Sequence, residues 1–218
     1  FPRGCLSRSE IDLFHRILRE NRNEPRRAVE ACEMLLGNPL DAASSALRSL
    51  IEAPEGKTLY VCDYSQIESR VLAWLAGQDD ILKVFREGKD VYKVMASAIY
   101  DVPVEAVTKD QRQMGKMAIL GLGYGMGPEK FKLSCKMMAG ITISLKFATE
   151  VVKKYRDANS MIKQFWYDLA DAAVACCRSK TQQTAGRIGF DYRDGFMTMV
   201  LPSGREIFYR DAKIVKVD

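Results

Sequence analysis

Leu59-Tyr60-Val61-Cys62-Asp63-Tyr64-Ser65-Gln66-Ile67-Glu68-Ser69-Arg70 is the stretch on which the reading of this chain turns. Four apolar or β-favouring residues predict a buried strand, and Asp63 lies where that strand emerges. From Ile67 the pattern becomes helical, with Val71, Leu72, Trp74 and Leu75 on it and a stop at Gly77. A carboxylate held at the end of a strand suits metal chemistry, because hard ions such as Mg²⁺ take carboxylate and carbonyl oxygens and keep water or substrate phosphate as further ligands. Asp63 with the Tyr64 carbonyl would form half of such a site. An acid that merely caps the following helix serves the same position. Glu68, on the first helical turn, either is paired near that site, excludes something from it, or answers the helix dipole.

Outward from this stretch, residues 9–36 read as two helices, the first capped by Ser9 with Asp12, the second ended by Gly37-Asn38-Pro39. Asp41 is placed to cap a short helix through Leu47. Leu50-Ile51-Glu52-Ala53 and Leu59-Tyr60-Val61-Cys62, joined by Pro54-Glu55-Gly56, read as a strand pair. Helices are expected over 80–87, 91–100, from about 108 into the glycine-rich segment 121–127, over about 129–138, and over 147–178. Strands are expected over 187–192, 196–201, 205–209 and 213–217, with Asp194-Gly195 and Pro202-Ser203-Gly204 as turns.

The helix near residues 108–122 carries a second signal. Arg112, Lys116, Leu120 and Tyr124 recur at every fourth position, and each step advances about 400°, so they form one slowly drifting stripe. Arg112 lies close to the helix start, where unpaired N–H groups already favour an anion. Its planar fork suits an outer phosphate, and Lys116 offers a point charge to the next phosphate inward. Leu120 and Tyr124 would meet the sugar and base. A solvated cationic face running into a buried Leu and Tyr is the plainer alternative. Gly121, Gly123, Gly125 and Gly127 follow a helix, not a strand, so they are not a G-x-G-x-x-G phosphate loop.

Composition bounds these readings without choosing among them. The chain has 218 residues, 47% apolar and 28% charged, with net charge +5, compatible with a polyanionic partner. Apolar runs such as residues 117–122 are too short to cross a bilayer, and no secretory signal pattern opens the chain. Cys5, Cys32, Cys62, Cys135, Cys176 and Cys177 show no metal-ligand spacing, and His15 is the single histidine, which argues against a zinc site. Reduced thiols in a cytoplasmic protein are expected.

Asp63-Tyr64-Ser65-Gln66-Ile67-Glu68-x-Arg70 closely resembles motif A of family A DNA polymerases, the bacterial polymerase I type. Arg112-x₃-Lys116-x₇-Tyr124-Gly125 resembles motif B on that family's nucleotide-binding helix, and the order of the two fits. Phe1-Pro2-Arg3 is similar to the end of the family's Q-N-x-P-R segment. Residues 71–77 and 108–113 look most like phage-encoded members. The resemblance implies an α+β fold, with mainly helical fingers inserted in part of the antiparallel-sheet palm of a right-hand polymerase. Residues 1–77 would be partial palm, 78–178 fingers, and 179–218 a strand-rich return toward the palm.

The same resemblance implies roles. Asp63 would bind two catalytic Mg²⁺ ions, the Tyr64 carbonyl assisting one. Arg112 and Lys116 would hold the triphosphate, Lys116 also assisting the departing pyrophosphate. Glu68 would close off the space of a ribose 2′-OH, with Tyr124 in contact with it beside the insertion site. Ser65, Gln66 and Leu120 complete the nucleotide contacts, and Arg3, Arg70, Tyr124 and Gly125 those to DNA. The partners would be a dNTP and primer-template DNA, with no membrane, in the cytoplasm of a bacterial host. Rival readings are a single-subunit RNA polymerase, against which Glu68 argues, and a non-catalytic nucleotide- or DNA-binding module, which has no need of Asp63.

Three departures accompany the likeness. Leu120 stands where motif B usually has an aromatic, which puts the usual sugar contact in question. The usual Phe-Gly pair becomes Leu120-Gly121. The family's His-Asp-Glu, source of the second metal-binding aspartate, does not occur, since His15 is followed by Arg16. The expectation is therefore an incomplete catalytic region, inactive alone, from a partial gene or from a split polymerase whose second chain carries motif C.

Overall fold

Ser7 starts the first helix through two reciprocal bonds. Its Oγ accepts from the Glu10 N–H at 3.4 Å, and Glu10 Oε2 accepts from the Ser7 N–H at 2.7 Å. The sequence pattern favours Ser9 with Asp12; Ser7 takes the place because it alone has a glutamate three residues on, the partner a capping box requires. The structure, a computed structural model, describes residues 6–215 and divides into two compact units, Phe1–Asp63 and Tyr64–Asp218.

The first unit holds α1 (Arg8–Glu20), α2 (Pro25–Leu36) and α3 (Pro39–Ala46). Phe14 and Ile17 of α1, Ala28 and Cys32 of α2, and Ala42 and Ala46 of α3 are buried together. Asn38, not Asp41, caps α3: its Oδ1 accepts from the Leu40 and Asp41 N–H groups at 2.9 and 3.4 Å. Pro39 at the first helical position decides this, since its fixed φ starts the helix one residue after Asn38. A 3-10 turn over Leu47–Leu50 follows, with Ser49 Oγ 2.8 Å from His15 Nε2.

The expected strand pair over 50–53 and 59–62 is not formed. Residues 51–63 have no regular structure beyond the turn closed by Lys57 N–H on the Pro54 carbonyl at 2.9 Å, and Tyr60 and Val61 are 88% and 93% exposed. A strand is stable only when neighbours accept its ladder bonds and cover a face. Among the described residues, none does so here.

The second unit begins with α4 (Ile67–Ala76), ended by Gly77 at φ 69°, followed by α5 (Asp79–Arg86), α6 (Val91–Tyr100) and α7 (Lys109–Leu122). Then come α8 (Pro128–Ala139), α9 (Leu145–Ala158) and α10 (Ser160–Ser179). The expected single helix over 147–178 is two, broken where Asn159 leaves helical geometry at φ −122°, ψ 54°. Buried Gln78 stabilises the break: its Oε1 accepts from the Met161 and Ile162 N–H groups at 3.0 and 3.3 Å, satisfying free donors at the start of α10.

The chain closes with β1 (Gln183–Ala185), β2 (Ile188–Arg193), β3 (Phe196–Val200) and β4 (Glu206–Arg210), one antiparallel sheet in the order β1-β2-β3-β4. Asp194 and Gly195, at φ 51° and 80°, make the tight turn between β2 and β3, where Arg193 pairs with Phe196. β1 is not foreshadowed by the sequence pattern. The strand expected from 213 is not formed over 213–215, and its remainder lies outside the described residues. Helices plus an antiparallel sheet make the fold α+β, and no helix among the described residues is long and apolar enough to cross a membrane. The five described cysteines are free thiols.

The helices of this unit share a core of Val91 and Met95 from α6, Met114 and Leu122 from α7, Phe131 from α8, and Val151 and Tyr155 from α9. Its tightest point is Gly115. A Cβ there would stand 2.1 Å from the Tyr92 carbonyl oxygen and 3.0 Å from the Ala96 nitrogen, so α6 and α7 meet backbone to backbone. Gly115→Ala gains about 1 kcal/mol of helix propensity but forces the helices apart, and overpacking of this kind costs roughly 1–3 kcal/mol or more. A net fall in Tm on the order of 5 °C is expected from thermal denaturation followed by circular dichroism; an unchanged Tm would show that the two backbones are not in contact.

Candidate functional site

The Gly115 contact fixes which face of α7 stays open. Thr108 and Gln111 start the helix with a capping box, at 3.2 and 3.0 Å. Met114, Met117, Ala118 and Leu122 turn inward. Arg112, Lys116 and Leu120 are left half-buried on the other side, with Tyr124, 72% exposed, just past the helix end.

Each member of this stripe has a different environment. Arg112 donates from Nε to Asp90 Oδ2 at 2.6 Å, and its guanidinium carbon stands 5.3 Å from the centre of the Tyr92 ring. Asp90 is the N-cap of α6, its Oδ1 accepting from the Tyr92 and Lys93 N–H groups at 2.9 and 3.3 Å. Burial alone would raise the Asp90 carboxyl, but the Arg112 bond, the two N–H groups and the guanidinium charge together bring it below its ordinary value. Lys116 makes no ion pair among the described residues, so the centre of the stripe carries uncompensated positive charge. Leu120 lines a cleft of about 230 Å³ with Glu68, Val71, Leu72, Leu75, Gly123 and Tyr124.

The Tyr124 hydroxyl donates to Glu68 Oε2 at 2.8 Å and closes this cleft, joining α4 to the end of α7. Gly123 lets the two elements approach: a Cβ there would sit 3.1 Å from both Leu72 Cδ2 and the Ile119 carbonyl oxygen. Beyond Tyr124, residues 124–130 with Leu145 and Thr149 line a wider, open hollow of about 760 Å³, and Gly125 turns the chain there at φ 72°.

The segment before α4 is held locally. Gln66 adopts the left-handed conformation, φ 56° and ψ 34°, which costs a non-glycine residue about 1–2 kcal/mol. Arg70 braces that turn by donating from Nε to the Ser65 carbonyl at 2.9 Å, with its guanidinium carbon 4.2 Å from the centre of the Phe85 ring. Tyr64 and Ser65 are exposed, as is Asp63, the last residue of the first unit. Arg3 lies outside the described residues. Among the described residues no three His, Cys, Asp or Glu side chains are grouped to hold a metal ion. Asp90 and Tyr92 are not singled out by the sequence. A cap before Val91 is legible there, but its pairing with a cation 22 residues away is a tertiary fact.

The Glu68–Tyr124 bond has a measurable signature. The hydrogen bond to Glu68, then partial desolvation and the Glu68 charge, push the Tyr124 hydroxyl above the ordinary 10.0. The neutral phenol is thus favoured in the fold, so the link is fully present below pH 10.0 and is lost as pH rises through the elevated value. Titration of the Tyr124 ring-carbon NMR shift should place its midpoint above that of an exposed tyrosine, and Glu68→Ala should return it to the ordinary range. A midpoint unmoved by Glu68→Ala would disprove the link.

Residues 39–188 match the model of DNA polymerase family A. The DNA polymerase of Bacillus phage SP02 is 37% identical over 190 residues, covering 85% of this chain and 29% of that protein. DNA polymerase I of Pseudomonas aeruginosa is 42% identical over 85 residues, 39% of this chain and 9% of its own length. The thermostable DNA polymerase I of Thermus aquaticus is 42% identical over 84 residues, 38% of this chain and 10% of that protein. A solved structure, the POL domain of Pol1 from M. smegmatis in complex with DNA primer-template and dNTP, covers 56% of this chain at 27% identity with a TM-score of 0.42; the match takes in 20% of that chain. The chain thus spans less than a third of each of these relatives. With the family's model matched from Pro39 to Ile188, across both the Asp63–Arg70 stretch and α7, this chain belongs to DNA polymerase family A.

Proposed function

We propose that the chain is the nucleotide-binding and part of the catalytic region of a DNA-directed DNA polymerase of phage origin. The observation that carries this reading is the α7 stripe: a tethered arginine, a lysine with no ion pair among the described residues, a largely apolar cleft and a tyrosine bonded to Glu68, in that order. Cations at one end and an apolar, aromatic surface at the other match the two ends of a nucleoside triphosphate. Phage origin is supported by the 37% identity, over 85% of the chain, to the phage SP02 enzyme, and with it goes action in a bacterial cytoplasm. The domain reading is palm for 1–77, fingers for 78–178 and a return toward the palm for 179–218.

In this reading the outer phosphate meets the Arg112 fork and the next phosphate meets Lys116, which also neutralises the departing pyrophosphate. Leu120 faces the sugar and Tyr124 the base. Glu68, fixed by Tyr124, occupies the space a 2′-OH needs and so selects deoxynucleotides. The Asp63 carboxylate and Tyr64 carbonyl are hard oxygen donors, both on exposed residues, and fit Mg²⁺ as two ligands of a set completed by water, phosphate and a further carboxylate. Held by Asp63 and the Tyr64 carbonyl, the metal would supply charge neutralisation for attack of a primer 3′-OH on the α-phosphate, the two-metal chemistry for which polymerases are a general example. Arg70, Gly125 and Arg3 are assigned to the primer-template. A non-catalytic module would share the stripe but gain nothing from Asp63.

The test is calorimetric titration of dNTP with Mg²⁺ into the chain. Lys116→Ala removes a charge-assisted contact worth about 1.5–3 kcal/mol, so affinity should fall roughly 10- to 100-fold. The matching rNTP should bind more weakly than the dNTP, and Glu68→Ala should abolish that difference. Equal binding by wild type and Lys116→Ala, or of ribo- and deoxynucleotide, would overturn the assignment.

A further inference from the structure

Asp90 divides its two oxygens between two tasks. Oδ1 caps α6 through the Tyr92 and Lys93 N–H groups at 2.9 and 3.3 Å, while Oδ2 takes the Arg112 Nε–H at 2.6 Å. The start of α6 cannot drift from α7, because Tyr92, two residues into α6, has its carbonyl against Gly115, one turn along α7 from Arg112. The carboxylate is therefore anchored at both ends: by the helix it caps and by the helix it reaches.

The point of attachment matters. A guanidinium presents three nitrogens, and Asp90 engages only Nε. The two terminal nitrogens have no partner among the described residues, and together they form the end-on fork that binds a phosphate through two parallel bonds. A carboxylate on those terminal nitrogens would compete with a phosphate. One on Nε holds the side chain in a single rotamer and leaves the fork available. Much of the conformational freedom that a long arginine loses on binding is then lost in advance.

We infer that Asp90 is a positioning residue for triphosphate recognition, which presents the Arg112 fork to the outermost phosphate by holding its Nε. The inference rests on the nucleotide-binding reading above and deepens it. It distinguishes the two cations of the stripe: Arg112 is set in place by a second residue, and Lys116 is not.

Asp90→Asn separates the two tasks. Asparagine caps a helix as well as aspartate does, but its second polar atom is either a neutral oxygen or an amide donor, neither of which holds a guanidinium as a carboxylate does. Wild-type chain, Asp90→Asn, Arg112→Ala and the double variant are titrated with dNTP·Mg²⁺ and with the corresponding dNDP·Mg²⁺. Thermal denaturation is run on each, and the Arg112 Nε–H resonance is followed by NMR in wild type and Asp90→Asn.

The expected result is about a tenfold loss of dNTP affinity in Asp90→Asn, with a smaller loss for dNDP, which lacks the outer phosphate. Tm should stay close to wild type, the Arg112 Nε–H resonance should shift, and the loss should vanish in the Arg112→Ala background. Unchanged or tighter dNTP binding by Asp90→Asn overturns the inference, the tighter result marking Asp90 as a competitor of the phosphate. Equal loss for dNTP and dNDP also overturns it, since that is what a merely structural role would give. If wild-type chain shows no dNTP binding that depends on Lys116, the nucleotide-binding reading has failed and the inference fails with it; intact Lys116-dependent binding with an indifferent Asp90→Asn fails the inference alone.

Discussion

The backbone contact between Gly115 and the Tyr92 carbonyl is the constraint on which the second unit's arrangement depends. Two helices ordinarily lie about 8–10 Å apart because side chains fill the gap. A glycine on α7 removes the side chain, and α6 can settle against the bare backbone. Everything useful about α7 follows from that seat. With Met114, Met117 and Ala118 inside, Arg112, Lys116 and Leu120 can only face outward. With α6 so close, its N-cap carboxylate comes within bonding distance of Arg112. A larger residue at 115 would disturb the core and the electrostatics of the stripe in one step.

The stripe itself is electrostatically graded. Arg112 is neutralised in part by Asp90, yet its two terminal nitrogens have no partner among the described residues. Lys116 has no counter-ion among the described residues, and a half-buried cation of that kind is attractive to an anion in proportion to how little water screens it. Asp90 stays ionised well below neutral pH because Arg112 and two N–H groups outweigh its burial. Its contribution is therefore present above its ordinary value of 3.8 and lost only as pH falls through the lower folded value. At the other end Tyr124 is held neutral by Glu68 well past neutral pH. Both polar links of the stripe thus persist across the range in which a triphosphate keeps its charge.

How much of this is legible in the sequence depends on how local the cause is. The start of α7 at Thr108, the stop of α4 at Gly77 and the Asp194-Gly195 turn are decided by residues within four positions of one another, and the sequence shows them. The strand pair over 50–62 is expected and does not form, because a β-favouring segment says nothing about whether a neighbour will accept its hydrogen bonds. The break at Asn159 is invisible because the apolar period runs on through it, and the group that caps α10 is Gln78, 83 and 84 residues away from the donors it satisfies. β1, three residues with polar Gln183 and Thr184, exists because β2 is there to pair with it. In the candidate site the stripe is readable as a four-residue period. Asp90 is not, because only the α6–α7 packing makes it a neighbour.

Leu120 bears on how the two ends of the stripe divide their work. Leu120 lines the cleft of about 230 Å³ between α4 and α7, with Glu68 and Tyr124, which are bonded to each other, on the same cleft. The cleft walls are mostly apolar, Val71, Leu72, Leu75 and Ile119, with the Gly123 backbone and the Ser69 side chain beside them. The polar side chains on the cleft are Glu68, Tyr124 and Ser69, and on the proposed reading the Glu68 carboxylate discriminates sterically only if it is held still. The Tyr124 bond supplies that restraint, as Asp90 does for Arg112. The stripe is thus a helix whose two terminal side chains are each tied to a different neighbour, α6 at the cationic end and α4 at the aromatic end. Movement of α7 relative to either neighbour would loosen one end while leaving the other in place, so on the proposed nucleotide-binding reading phosphate and sugar recognition would fail separately although one helix carries both.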